Sequence, residues 1–72
     1  MVINLLKKIR IESGVTQEEL SQKARVTLRS YRYYESGERV PNVHTAQRLA
    51  MALGVKIEDL FPLNGASLRK TN

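Results

Sequence analysis

Glycine and proline divide this chain into pieces that suit short helices and little else. Gly14, Gly37, Pro41, Gly54, Pro62 and Gly65 leave a series of short blocks between them. Within those blocks there is no clean apolar/polar alternation of the kind a strand needs. Asn64-Gly65, a dipeptide typical of hairpins, has no strand-like run after it. The pattern predicts an all-α domain. A length of 72 residues provides for one core only, so a single bundle of five short helices is expected.

The block boundaries can be read from capping chemistry. The first helix, about Ile3 to Ser13, carries Leu5, Leu6 and Ile9 at helical spacing and stops at Gly14. Thr16-Gln17-Glu18-Glu19 fits a capping box, with Val15 and Leu20 placed for a hydrophobic staple. The second helix then runs to about Ala24. A third begins after Thr27 as N-cap and ends at Gly37, which leaves only Arg25 and Val26 as the turn between helices two and three. Asn42 caps a fourth helix whose apolar stripe is Val43, Ala46, Leu49, Ala50 and Leu53, with Met51 as core filler. A last short helix spans about Lys56 to Phe61, although Lys56 is a poor cap. Residues 63–72 show no periodic pattern and are expected to fray, or to contribute to dimerisation.

Charge narrows the function classes. Twelve Lys and Arg oppose seven Asp and Glu, a net charge of +5. An excess of that size in so short a chain favours an anionic partner, nucleic acid first. The chain has no cysteine and a single histidine, His44, so Cys-based zinc sites, disulfides and a self-contained acid–base pair are not available. Neither an enzyme nor a cofactor, metal or small-molecule ligand is expected. The longest apolar run, Leu49 to Val55, is far below the roughly 20 residues a bilayer requires. Near the start, apolar residues precede the basic ones, the reverse of a secretory signal. The expected location is therefore cytoplasmic.

Two short helices joined by a tight turn inside a basic helical chain form the geometry of a helix-turn-helix. Its motifs are Gly14-Val15-Thr16-Gln17-Glu18-Glu19-Leu20, Val26-Thr27 and Tyr34-Glu35-Ser36-Gly37, then Pro41-Asn42, Leu49-Ala50, Ala52-Leu53-Gly54-Val55 and Leu60-Phe61. In these, over about residues 3–61, the chain resembles the phage repressor and Cro-like (XRE) helix-turn-helix family. The resemblance implies a compact five-helix bundle of the lambda-repressor-like type over residues 1–62, with helices two and three as the DNA-binding unit. It further implies a sequence-specific, double-stranded DNA-binding transcriptional regulator, a repressor encoded by a bacterium or phage and associated with the nucleoid when bound.

Helical spacing within that register sorts the third helix into two faces. Tyr31 and Tyr34 share the core face, while Leu28, Arg29, Arg32, Tyr33 and Ser36 face outward. Arginine can bond guanine O6 and N7 bidentately, and an apolar side chain can meet a thymine methyl. Arg29 and Arg32 are thus the expected base readers, supported by Leu28 and Tyr33. The resemblance assigns a phosphate contact to Gln17, where helix two begins and its amides and dipole favour an anion. Thr27 is expected to cap helix three and touch phosphate; Ser36 and Arg39 suit phosphate or minor-groove contact where the chain leaves the groove. Lys7 and Lys8 are flanking cations. The resemblance also implies that Arg10 and Glu35 pair as a structural tie.

The sequence departs from the family pattern at Arg25, where glycine is usual; a left-handed backbone there costs a non-glycine residue roughly 1 kcal/mol or more. Ala24 and Ser21 are small or polar where aliphatic residues are usual, which can make room for the rings of Tyr31 or Tyr34. One copy contacts too little DNA for regulation, so a homodimer on inverted half-sites about 34 Å apart is expected. Leu60, Phe61 and Leu63 are the candidate dimer residues, with core closure as the alternative use of the same side chains. A second functional reading is an antitoxin or anti-regulator whose main role is to bind a protein partner.

Overall fold

Helix ends set the architecture of this chain more firmly than helix interiors do. A computed structural model describes residues 4–62, which form five helices: α1 Leu6–Ser13, α2 Gln17–Lys23, α3 Leu28–Ser36, α4 Val43–Leu53 and α5 Ile57–Leu60. No strand occurs among the described residues. Thr16, Thr27 and Asn42 each accept a backbone N–H from the third residue onward, at 2.8–3.0 Å. At α2 the capping box closes as the Glu19 carboxylate accepts the Thr16 N–H at 2.9 Å. Lys56 has no acceptor side chain, yet the Asp59 carboxylate accepts its N–H at 3.0 Å and starts α5.

The first helix begins three residues later than the periodicity predicts. The Asn4 side chain accepts the Leu6 N–H at 3.0 Å, so the helical ladder starts after it. The Asn4 amide also donates to the Tyr34 carbonyl at 2.7 Å and ties this start to the end of α3. Nearby, the Leu5 N–H bonds the Leu60 carbonyl at 2.8 Å, joining the first and last helices.

The turn between α2 and α3 places Arg25 at φ 60°, the only non-glycine residue with positive φ among those described. Arg25 N–H bonds the Gln22 carbonyl and Val26 N–H bonds the Ser21 carbonyl, the paired closure that normally employs glycine. Gly14 and Gly54 close α1 and α4 in the same way without the steric penalty. The resulting turn is short enough to hold α3 hard against α2.

None of these helices is long enough to persist alone in water, so burial must hold them. Leu6, Leu20, Ala24, Tyr31, Leu49, Ala50 and Leu60 form one cluster, nearly all fully buried. Ala24 and Tyr31 both belong to it, and Ser21 is buried beside them in sequence with its hydroxyl on the Glu18 carbonyl. Truncating a leucine such as Leu20 or Leu49 to alanine would cost about 2–5 kcal/mol.

Four sequence expectations change. Val43 is 66% and Met51 79% exposed, so the α4 core stripe is narrower than its apolar pattern suggests. Val43 lies on the first turn, at the open rim of a hollow it shares with Ile57 and Phe61, and Met51 lies on the opposite side of α4 from Leu49. Tyr34 packs against the core from a half-buried position instead of entering it. Leu60 is fully buried within one copy, so it closes the core and offers no side chain to a second copy. Leu63 and the tail expectation for residues 63–72 lie outside the described residues.

Candidate nucleic-acid interface

The interface is built on a carboxylate that faces inward. Glu35 occupies the last turn of α3 with only 6% of its side chain exposed. Arg10 Nε of α1 donates to Glu35 Oε2 at 2.8 Å, and the Tyr31 hydroxyl donates to the same oxygen at 2.8 Å. Gln17 Nε2, from the first turn of α2, donates to Oε1. Arg10 is held in turn by the Val15 carbonyl, which accepts from Nη1 at 2.9 Å. One carboxylate thus links α1, the start of α2 and α3.

The protonation states follow from this arrangement. Burial pushes the Glu35 carboxyl up, but the donors from Arg10, Gln17 and Tyr31 outweigh it and hold the group below the usual glutamate range. For Tyr31, burial and the bond to the Glu35 carboxylate both push the phenol well above its ordinary value of 10.0. The hydrogen bond to Glu35 raises Arg10 further, so the pair stays ionised.

Outward from this tie, α3 presents the stripe predicted from its spacing. Arg29, Arg32 and Ser36 are exposed, and Leu28 and Tyr33 are half-buried. Leu28, Arg29, Arg32 and Tyr33 together line one shallow hollow. Arg32 Nε lies 3.4 Å from Gln17 Oε1, which draws it toward the start of α2. Arg29 instead leans toward Tyr33, its Nη2 3.5 Å from the phenol oxygen. Gln17 still has an amide hydrogen not engaged by Glu35, directed from a helix start where the dipole favours anions.

The remaining sequence candidates occupy the rim. Thr27 is exposed and its hydroxyl caps α3. The Ser36 hydroxyl donates to the Tyr33 carbonyl at 3.1 Å and accepts the Glu38 N–H at 3.3 Å, so it shapes the exit from α3. The Arg39 guanidinium carbon lies 4.8 Å from the Tyr33 ring centroid, which folds that arginine back toward α3. Lys7 and Lys8 are exposed on α1, Lys8 forming a surface pair with Glu12 at 3.8 Å. Phe61 is half-buried and lines an apolar hollow with Val40, Pro41, Val43, Ala46 and Ile57.

Sequence reasoning missed several of these partners. Tyr31 with Glu35, and Arg29 with Tyr33, each lie four residues apart on one helix, a spacing that signals contact. Gln17 with Glu35 and Arg39 with Tyr33 join different elements and leave no such signal. Arg48 was also overlooked: its Nε donates to the Ala24 carbonyl at 2.8 Å and finishes α2, while Nη2 lies 3.3 Å from the Thr45 hydroxyl.

A capped helix pair joined by a two-residue turn, with a cationic outer helix fastened to the fold by a buried carboxylate, defines a helix-turn-helix DNA-binding module. Comparison with known proteins gives the same class: the sequence model described as Helix-turn-helix matches residues 6–60. An HTH-type transcriptional regulator of the archaeon Methanothermobacter thermautotrophicus is 41% identical over 61 residues, covering 83% of this chain and 88% of the relative. MJ0272 of Methanocaldococcus jannaschii is 38% identical and YgzD of Bacillus subtilis 33%, each over 58 residues, 81% of this chain and 88% of the relative. Both carry the name HTH-type transcriptional regulator. The chain belongs to the Cro/C1-type (XRE) helix-turn-helix family of DNA-binding transcriptional regulators. No described helix is long and apolar enough to cross a membrane.

Proposed function

We propose that this protein is a sequence-specific repressor that binds an inverted-repeat operator as a homodimer, with α3 in the major groove. The observation that carries the reading is the outward face of α3. It sets two exposed arginines beside apolar surface, next to an α2 start whose Gln17 can reach phosphate. Arg29 and Arg32 read base edges, and Leu28 and Tyr33 support them. Gln17, Thr27, Ser36 and Arg39 hold the backbone and set the register. A copy seated over a promoter excludes polymerase by occupancy alone.

The apolar hollow bounded by Val40, Val43, Ile57 and Phe61 supports pairing of two copies, since Val40 is 79% and Val43 66% exposed. In this arrangement Phe61 serves the interface and Leu60 the core.

The test is selection of genomic fragments by the purified protein at near-physiological salt, followed by footprinting. A shared inverted repeat is expected. Arg29→Ala should cost about 1–3 kcal/mol on that site and relax base choice there, whereas Gln17→Ala should weaken every sequence alike. Enrichment of no sequence would overturn the reading and favour a module whose main ligand is a protein.

A further inference from the structure

The hollow on α3 combines two chemistries. Leu28 and the ring of Tyr33 give it apolar surface, while Arg29 and Arg32 give it guanidinium donors. Two arginines also lean on the one ring: the Arg39 guanidinium carbon is 4.8 Å and that of Arg29 5.9 Å from the Tyr33 centroid. Both distances fall inside the range of about 6 Å over which an aromatic face attracts a cation. An exposed arginine otherwise spreads over many rotamers, so the ring restricts Arg29 before DNA arrives.

We propose that this hollow reads a guanine adjacent to a thymine, with Tyr33 as the positioning residue for Arg29. The inference rests on the major-groove reading above and names the base step that reading leaves open. Guanine presents two acceptors, O6 and N7, to a guanidinium fork. Adenine sets an N6 donor beside N7 and cytosine presents an N4 donor, so each meets an arginine donor with a donor. Thymine alone among the unmodified bases places a methyl group in the major groove, and that group matches the surface of Leu28 and Tyr33. Arg29 is adjacent to Leu28 and one turn from Tyr33 on α3, and all three line the same hollow. The apolar and cationic readers therefore meet neighbouring base pairs.

The Tyr33 ring has a share in both parts, and its variants separate them. Tyr33→Leu keeps an apolar surface for the methyl and loses the face that restrains Arg29. Tyr33→Phe keeps both surface and face and loses only the long contact to the hydroxyl.

The experiment selects the preferred site from random sequence with the full chain, then measures affinity for single-atom variants of that site. Replacing the thymine by uracil removes only the methyl; replacing the guanine by 7-deazaguanine removes only N7. Wild-type protein should select a half-site containing guanine next to thymine. It should bind the uracil site about fivefold more weakly and the 7-deazaguanine site about tenfold more weakly, in line with typical base-contact discrimination. Tyr33→Phe should keep both responses. Tyr33→Leu should keep the uracil response and lose the 7-deazaguanine response. In the free protein, ring-current shifts at the Arg29 and Arg39 side chains should appear in wild type and Tyr33→Phe and vanish in Tyr33→Leu. A selected site lacking that step, an unchanged affinity for uracil, or a Tyr33→Leu variant still sensitive to 7-deazaguanine would overturn this inference alone. Selection of no site by the wild type would instead remove the DNA-reading function on which it stands.

Discussion

Replacing Arg10 with methionine tests whether the Glu35 tie is structural. Arg10 and Glu35 meet at 2.8 Å with side chains 13% and 6% exposed. Removing the guanidinium leaves a nearly buried carboxylate with only the Tyr31 hydroxyl and the Gln17 amide as donors. Breaking a buried pair from one side costs about 3–5 kcal/mol. The partial exposure of Arg10 and the two surviving donors place this case at the lower end, about 3 kcal/mol. A domain of this size has a total stability of roughly 4–10 kcal/mol, so the variant loses a large share of it. With a urea dependence of about 1 kcal/mol per molar, the unfolding midpoint followed by far-ultraviolet circular dichroism should fall by about 3 M. The decisive measurement is the double-mutant cycle with Glu35→Leu. Each single variant leaves a group without its partner, and the double variant removes both charges, so a coupling of about 2 kcal/mol is expected. Single-variant costs below about 0.5 kcal/mol that simply add would mean an ordinary surface pair, and the argument from burial would be refuted.

Four further outcomes follow from the same geometry. Glu35 has its carboxyl lowered in the folded state, so its contribution is present above the ordinary value of 4.5 and drains away as pH falls below it. Urea unfolding from pH 6 downward should show that acid loss in wild type and little of it in Glu35→Gln. Tyr31 is raised above 10.0, so its contribution is present below pH 10 and lost as pH rises past it; Tyr31→Phe should flatten that alkaline limb. Arg25→Gly relieves a left-handed residue at φ 60°; set against the extra freedom glycine gives the unfolded chain, the net gain is up to about 1 kcal/mol, a rise of several degrees in Tm. A lower Tm would show that the Arg25 side chain makes a contact that matters more than the strain. Val43→Asp changes a side chain 66% exposed, so thermal stability should hold while two-copy binding to the operator, followed by gel shift across protein concentration, loses its cooperativity.

Capping chemistry made the fold legible because helix ends are local. Thr16 with Glu19, Thr27 with Ser30 and Asn42 with Thr45 sit three residues apart, and short-range pairs of that kind survive in any packing. At Arg25 the family pattern, in which glycine is usual, pointed to the left-handed backbone that the turn adopts. Burial was less legible. Val43 follows the periodicity of α4 yet is mostly exposed, because an apolar stripe says which side of a helix is greasy and not how far its neighbours extend. Leu60 fitted both core and interface in sequence, and only its burial in one cluster with Leu6, Leu20 and Leu49 settles its place. At the interface, helical spacing sorted α3 into its two faces but said nothing about contacts between elements. That Gln17 serves Glu35 and Arg32 together depends on how α2 crosses α3, a tertiary fact no local pattern encodes.

The two networks on α3 divide the work of holding and reading. Arg10, Gln17 and Tyr31 all donate to Glu35 at the inner side, while Leu28, Arg29, Tyr33 and Arg39 meet on the outer side. Among the described residues the hydrogen bond that bridges them runs from Arg32 to Gln17, at a weak 3.4 Å. Energetic coupling between residues falls off when they share no partner. The outer residues are therefore free to change without unfolding the module, and the inner ones can fix α3 in place without dictating which bases it meets. In the proposed binding mode an arginine at the bridge carries both duties: Arg32 is the base reader, and its link to Gln17 couples that reading to the proposed phosphate contact. That coupling, more than either contact alone, sets how α3 meets the base edges it is proposed to read.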